Sequence, residues 1–264
     1  AFRNMYFTNV NMAKGLDWPD WRIKPDTKDR LLKFMEPFTS WETKEKNLAY
    51  LPPKIVSTRY YQMIGDQART YKEIKAEFAT EFDSNTLVTP GVLSRLNRLQ
   101  MICNGIFPLP DGAYQHLPCE KYDDVMELLG EIAGKVVIWC AWRANIDRLL
   151  QMFTEYDASQ RGSQQRSGAG GYNPLNAVVV VGGMSDSERN DAIEKFAGPD
   201  CRVMLASQGA AGTGLDELKV AGTAIYFSQS FNFAHRAQSI DRLHRKVSEL
   251  LHKSINIIDL VTED

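Results

Sequence analysis

Short, uninterrupted apolar runs recur through the second half of the chain: Val136–Ala141 (VVIWCA), Ala177–Val181, Arg202–Ala206, Thr223–Phe227 and Ile255–Leu260. Runs of this length without polar alternation predict strands buried on both faces. Helical patterns separate them. Arg143–Phe153 is the first. Ser185 with Glu188 spells a capping box that opens a second, running to Ala197. A third is expected from Ala234 to about His252. Strands that alternate with helices imply an α/β fold, a doubly wound parallel sheet flanked by helices.

The first half reads differently. Residues 1–53 are irregular, with Trp18, Trp21, Trp41, several prolines and one short helix near Thr27–Met35. Leu51-Pro52-Pro53-Lys54 breaks any helix, because proline disfavours helix in the residue before it. A strand is expected over Ile55–Met63, and helices over Asp66 to about Phe82, Leu93–Ile106 and Asp123–Ile132, the last ended by Gly134. Three parts follow: a mostly helical and irregular N-terminal extension over 1–54, a helical bridge over 55–134, and an α/β lobe over 135–264. Within the lobe, 157–172 (DASQRGSQQRSGAGGY) has the composition of a flexible surface loop.

Composition narrows the class. The chain of 264 residues is 44% apolar and 24% charged, ordinary for a globular protein, with a formal charge of −2. No global basic signal points to nucleic acid, although a local patch suffices to bind phosphate. The cysteines Cys103, Cys119, Cys140 and Cys201 show neither metal spacing nor a disulfide framework, and no metal site is expected. No run is long enough to span a membrane. The opening alanine suggests an excised piece.

Two stretches carry candidate chemistry. On the helix from Ala234, a period of 3.6 residues puts Gln238, Asp241, Arg242 and Arg245 in one polar stripe, opposite Ile240, Leu243 and Val247. Two guanidiniums on a rigid helix suit a phosphate and the charge that develops as it is transferred. The competing reading is a solvated face with Asp241 paired to Arg245. Upstream, Gly209, Gly212 and Gly214 follow a parallel strand at its carboxyl end, where open α/β sheets bind ligands, and Asp216 follows them. Glycines there let backbone N–H groups approach a phosphate.

These residues resemble the C-terminal motor lobe of the Swi/Snf-type ATPases of helicase superfamily two. Gln238-x-x-Asp241-Arg242-x-His244-Arg245 matches that family's last motif, QxxDRxHR. Ala210-x-Gly212-x-Gly214-Leu215-Asp216 matches AGGxGLN, with Ala211 and Asp216 as departures. Val136–Trp142 is similar to the strand LIFSQF. Gly182-Gly183-Met184 through Glu188-Arg189 and Phe196 is similar to G-x-x-x-x-x-R…F. Leu51-Pro-Pro-Lys54 with Tyr71 is similar to the bridge between lobes, and Leu96–Cys103 to L-x-x-LRxxC. The family's Arg-Ile-Gly-Gln continuation is replaced here by Lys246-Val247-Ser248 after Arg245.

The resemblance implies a RecA-like lobe that works opposite a first RecA-like lobe, whose tail would be residues 1–54. ATP and Mg²⁺ would bind between the lobes, with Mg²⁺ held mainly by the first. Arg242 and Arg245 would be arginine fingers; Gly212, Gly214, Asp216 and Gln238 would line the ATP site. Trp142, Arg143, Gly183, Met184, Ser185, Ser207 and Gln208 would grip DNA, duplex and without sequence preference. Two of these have a structural alternative: Trp142 as core packing and Ser185 as the helix cap. No GxxxxGK[ST] and no DEAH-like quartet occurs, so the chain alone is expected to be inactive toward ATP. Rival readings are a scaffold or nucleic-acid-binding module without ATPase activity, and a dinucleotide oxidoreductase using the glycine loop. The location implied is the cytoplasm of a bacterium or of a virus-infected cell, or the nucleus in a eukaryote.

Overall fold

The computed structural model describes residues 2–12, 15, 17–40, 42, 47–83, 89–109, 111–167, 174–210 and 216–263; the side chains of 77–83, 89–92, 162–167 and 216 are not among them. Two compact units divide the chain, Ala1–Ala49 and Tyr50–Asp264.

In the first unit, α1 (Phe2–Tyr6), an antiparallel pair β1 (Phe7–Asn9) and β2 (Trp21–Ile23), and α2 (Lys28–Met35) surround a very small core. Tyr6 and Leu31 are buried, whereas Phe2, Leu32, Phe34 and Phe38 stay exposed. Thr27 Oγ1 donates to the Tyr6 carbonyl at 3.1 Å and ties α2 to the end of α1.

The second unit is built on a parallel sheet. Its strands are β3 (Lys54–Tyr61), β6 (Val136–Cys140), β7 (Val178–Val180), β8 (Val203–Ser207), β9 (Thr223–Tyr226) and β10 (Ile255–Thr262), in the order β3-β10-β9-β6-β8-β7. The helices are α3 (Gly65–Asp83), α4 (Thr89–Cys103), α5 (Lys121–Glu131), α6 (Arg143–Ser167), α7 (Asp186–Ala197), α8 (Phe233–Leu243) and α9 (Ser248–Leu251). A short antiparallel pair, β4 (Ile106–Pro108) and β5 (Tyr114–His116), follows α4. The doubly wound parallel sheet is the one that the apolar runs imply.

Strand side chains alternate between faces, and both faces are covered. Val136, Ile138 and Cys140 join Val203, Leu205, Ile225 and Phe227 against Tyr122 and Val125 of α5 and Ile146, Leu149 and Phe153 of α6. Val137 and Trp139 join Met204, Ala206, Ala224 and Tyr226 against Ile193 and Phe196 of α7 and Leu243 of α8. A smaller cluster of Tyr71, Leu99, Ile102 and Leu117 holds α3 to α4.

Three expectations need correction. The strand at 54–61 is not confined to the bridge: it pairs in parallel with β10 along its whole length, from Lys54 opposite Ile255 to Tyr61 opposite Thr262. The helix from Arg143 does not stop at Phe153 but runs to Ser167, through much of the expected loop. Asp157 explains the difference, since its carboxylate accepts from the amides of Leu175 at 3.0 Å and Asn176 at 2.9 Å, and Arg161 reaches Asn176 Oδ1 at 3.1 Å. The rest of that expected loop, 168–172, lies outside the described residues. The long helix expected from Ala234 to His252 ends at Leu243. His244 turns inward, its Nε2 2.9 Å from the Pro52 carbonyl oxygen, and Val247 takes a left-handed φ of 81°.

Among the described residues no helix is long and apolar enough to cross a membrane. Lys121 in the second unit is only 3% exposed, and its Nζ donates to Asn104 Oδ1 at 3.0 Å. Burial brings its pKa down to about 8. Below pH 8 both the folded and the unfolded chain hold this proton, so the penalty is full and constant. Between about 8 and the ordinary value of 10.5 the unfolded chain binds the proton and the folded one does not, so stability rises with pH there. The total is on the order of 3 kcal/mol. Urea unfolding from pH 7 to 10.5 should show the difference between wild type and Lys121→Met changing by that amount; a pH-independent difference contradicts the assignment.

Candidate functional site

Because all six strands are parallel, the segments that follow them leave from one edge of the sheet. Three carry the residues expected to grip DNA. Trp142 and Arg143 follow β6, and Ser207 and Gln208 end and follow β8; Cys140 pairs with Ser207, so these two tips are direct neighbours. Gly183, Met184 and Ser185 follow β7, the next strand out.

Trp142 is half-buried on Met101, Ile106 and Ala144, and its indole Nε1 is buried without a partner. Arg143 is exposed and forms a 2.8 Å ion pair with Asp147. Gly183 has a φ of 87°, a conformation that disfavours any side chain. The Met184 sulfur accepts from the Val181 amide at 3.3 Å. Ser185 is the N-cap of α7: its Oγ accepts from the Glu188 amide at 3.3 Å, and the Glu188 carboxylate accepts from the Ser185 amide at 2.8 Å. That amide and the Ser185 hydroxyl hold the Glu188 carboxyl below its ordinary pKa. Ser185→Ala should therefore cost about 1 kcal/mol in a denaturant titration, the usual worth of such a cap; no loss removes the cap from the account of α7. Gln208 is buried; its Oε1 accepts from the Ser230 amide at 3.1 Å, which ties the β8 tip to the segment after β9.

The described ones among the remaining expected residues lie on the Asp216–Val220 turn, on α8 and just after it. Gly212 and Gly214 lie outside the described residues. Asp216 opens a 3-10 turn, Asp216–Val220, and its side chain is outside them too. This turn packs against α8 and precedes β9. Asn232 caps α8, its side chain accepting from the Ala234 amide at 3.0 Å. Gln238 is exposed on α8, and Arg242 sits half-buried near its end. Arg245 is not on the helix, yet it stays close, its Nε donating to the Asp241 carbonyl at 3.3 Å. The contact of His244 with Pro52 fixes this end of α8 beside the start of β3.

Sequence reading missed what anchors α8. The Arg236 guanidinium meets Asp259 of β10 in two parallel hydrogen bonds of 2.7 and 2.8 Å, and Gln229 Nε2 donates to the same carboxylate at 3.0 Å. The guanidinium also lies 4.2 Å over the Tyr226 ring. The Tyr226 hydroxyl is 2.6 Å from Ser239 Oγ, and burial pushes that phenol up to about 12. The available signal was a single carboxylate inside the apolar run Ile255–Leu260. Among the described residues no group of three or more His, Cys, Asp or Glu could hold a metal ion.

Residues 120–247 match the family described as Helicase conserved C-terminal domain. The chain is 27% identical over 224 residues to the protein named uncharacterized ATP-dependent helicase MG018 of Mycoplasma genitalium, covering 82% of this chain and 20% of that relative. It thus spans about a fifth of that relative's length. Its fold is similar to the Sulfolobus solfataricus SWI2/SNF2 ATPase C-terminal domain, with a TM-score of 0.53, 19% identity and 79% of each chain covered. The SWI2/SNF2 ATPase core domain of the same organism gives 0.55 at 20% identity, covering 90% of this chain and 46% of that one. Residues 120–247 thus match the helicase conserved C-terminal domain, and the fold is a RecA-like α/β fold similar to that of the solved SWI2/SNF2 ATPase C-terminal domain.

Proposed function

We propose that this chain is the second motor lobe of an ATP-dependent helicase or translocase, and that it completes an ATP site shared with a first lobe. The observation that carries this reading is the docking of α8. The arginine-bearing end of the helix is held by His244 on Pro52, and the helix packs against the Asp216–Val220 turn, so the element that carries Gln238 and Arg242 lies beside that turn. Guanidiniums fit a polyphosphate. Mg²⁺ is assigned mainly to the first lobe, as in the two-lobed motors that the chain resembles. Bound ATP supplies the transferable phosphoryl group. Arg242 and Arg245 neutralise charge on it, and Gln238 and Asp216 orient the groups around it.

The strand tips serve a second partner. Trp142, Arg143, Gly183, Met184, Ser185, Ser207 and Gln208 are read as the surface that touches DNA. The Gly183 turn and the N-terminus of α7 present backbone amides suited to phosphate oxygens. Such contacts ignore base sequence and weaken with salt. Among the described residues of 1–49, Tyr6 and Leu31 are the large apolar side chains that are buried, and so small a core fits the tail of the first lobe.

The test is ATP hydrolysis with and without duplex DNA, for this chain alone and for the protein carrying both lobes. DNA-stimulated turnover by the two-lobed protein and none by the chain alone is expected. Equal turnover by the chain alone would sink the shared-site reading.

A further inference from the structure

A chain of buried polar side chains runs from the helical segment to the sheet edge that carries the proposed DNA surface. It begins at Lys121, whose ammonium donates to Asn104 Oδ1 at 3.0 Å. Asn104 follows α4 directly; its own amide donates to the Gln100 carbonyl at 2.7 Å, and its backbone carbonyl accepts from Asn145 Nδ2 at 2.9 Å. Asn145 is fully buried in the first turn of α6. Its second amide hydrogen goes to the Tyr122 hydroxyl at 2.8 Å, and its Oδ1 accepts from the Ser228 hydroxyl at 3.3 Å. Ser228 Oγ in turn accepts from the Ala141 amide at 2.8 Å, and the Asn145 amide donates to the Trp142 carbonyl at 3.2 Å. The Gln100 side chain adds a parallel link to the Gln229 carbonyl.

We propose that Lys121, Asn104, Asn145 and Ser228 form a positioning relay that holds the Ala141–Arg143 tip in register with the α3–α4 hairpin, so that displacement of the hairpin is passed to the tip. The physical ground is saturation. Both amide hydrogens and the carbonyl oxygen of Asn145 are used at once, and each link joins a different part of the fold: α4, α5, the tip after β6 and the segment after β9. A buried network whose central member has every side-chain polar group bonded admits few alternative arrangements and moves as a block. An ordinary apolar contact would tolerate sliding at the same place. None of these side chains needs to touch a ligand; they act through Ala141 and Trp142. The relay deepens the DNA-surface reading and rests on it only for the consequence of the motion.

The test is amide hydrogen exchange of this chain, followed at Ala141, with Lys121→Met as the perturbation at the far end of the relay. Ile193→Val, in the apolar cluster under α7, is the control, with urea adjusted to match overall stability. The relay predicts exchange at Ala141 faster by at least 10-fold in Lys121→Met than in the control, with Val179 and Leu205 unchanged. Equal rates at Ala141 in the two variants would overturn it. Should Lys121→Met fail to fold, Asn104→Asp keeps the side-chain shape and supplies the same readout. Duplex DNA affinity of the same variants is measured in parallel. Altered exchange with unchanged affinity keeps the relay and removes the tip from the DNA surface; unchanged exchange with altered affinity removes the relay and keeps the DNA surface.

Discussion

Replacing Arg242 by alanine in the two-lobed protein is expected to lower DNA-stimulated ATP turnover by about 10³-fold, the scale of an arginine supplied to phosphoryl transfer. KM for ATP should change little by comparison, because the interaction strengthens as charge develops rather than on binding. The Arg245→Ala loss should be of similar kind. Arg245 has left the helix, yet its Nε is held by the Asp241 carbonyl, so its head is placed by backbone rather than by helical period. Arg242→Lys should recover little, since an ammonium does not reproduce the planar fork of a guanidinium. Steady-state ATPase assays at saturating DNA decide the matter, and turnover within threefold of wild type for both alanine variants removes the finger assignment.

Asp259→Asn should lower the stability of the second unit by about 3 kcal/mol, in the range for breaking a buried pair from one side. The Arg236 side chain is 21% exposed and that of Asp259 12%, so the stranded guanidinium has little water to turn to. For a unit of this size the melting point should fall by roughly 10 °C. Arg236→Met with Asp259→Leu should return most of the loss, because no unpaired charge then remains. Calorimetry of Arg236→Met, Asp259→Leu and their double closes the cycle; a double as unstable as either single shows that packing, not charge, holds α8. The variants also separate two effects in the ATPase assay. Since α8 carries Gln238 and Arg242, Asp259→Asn should reduce turnover even at temperatures where the chain stays folded.

Much of the lobe was legible in the sequence, for a local reason. A run such as VVIWCA can bury both its faces only inside a covered sheet, and Ser185 with Glu188 marks a helix start through hydrogen bonds that span three residues. What escaped was set by distant partners. Nothing between Ala234 and His252 is a proline or a glycine, so the periodicity overran. The stop at Leu243 is imposed by Pro52, which lies far off in the sequence. The composition of 157–172 signals a loop, whereas Asp157 and Arg161 tie the helix to 175–176 and carry it on. The stripe of Gln238, Asp241, Arg242 and Arg245 came through the periodicity with one member displaced past the helix end. Lys121 and Asn145 had no signal at all, since a buried lysine and a buried asparagine look like surface residues until their neighbours are known.

The parallel pairing of β3 with β10 also bears on how the molecule is made. The two strands lie about 200 residues apart, as Lys54 opposite Ile255 shows, so the loop that must close before they meet is nearly the whole unit. Synthesis runs from the amino end, so of these six strands β10 emerges last. Until it does, Ile55, Val56 and Tyr60 belong to a strand that has no partner. The arrival of β10, rather than any early collapse, therefore completes the sheet, and slow folding of high contact order is the expected kinetic signature. A chain cut short before Ile255 would leave an orphan strand at one end and an open sheet edge at β9, two adhesive surfaces exposed by a single truncation.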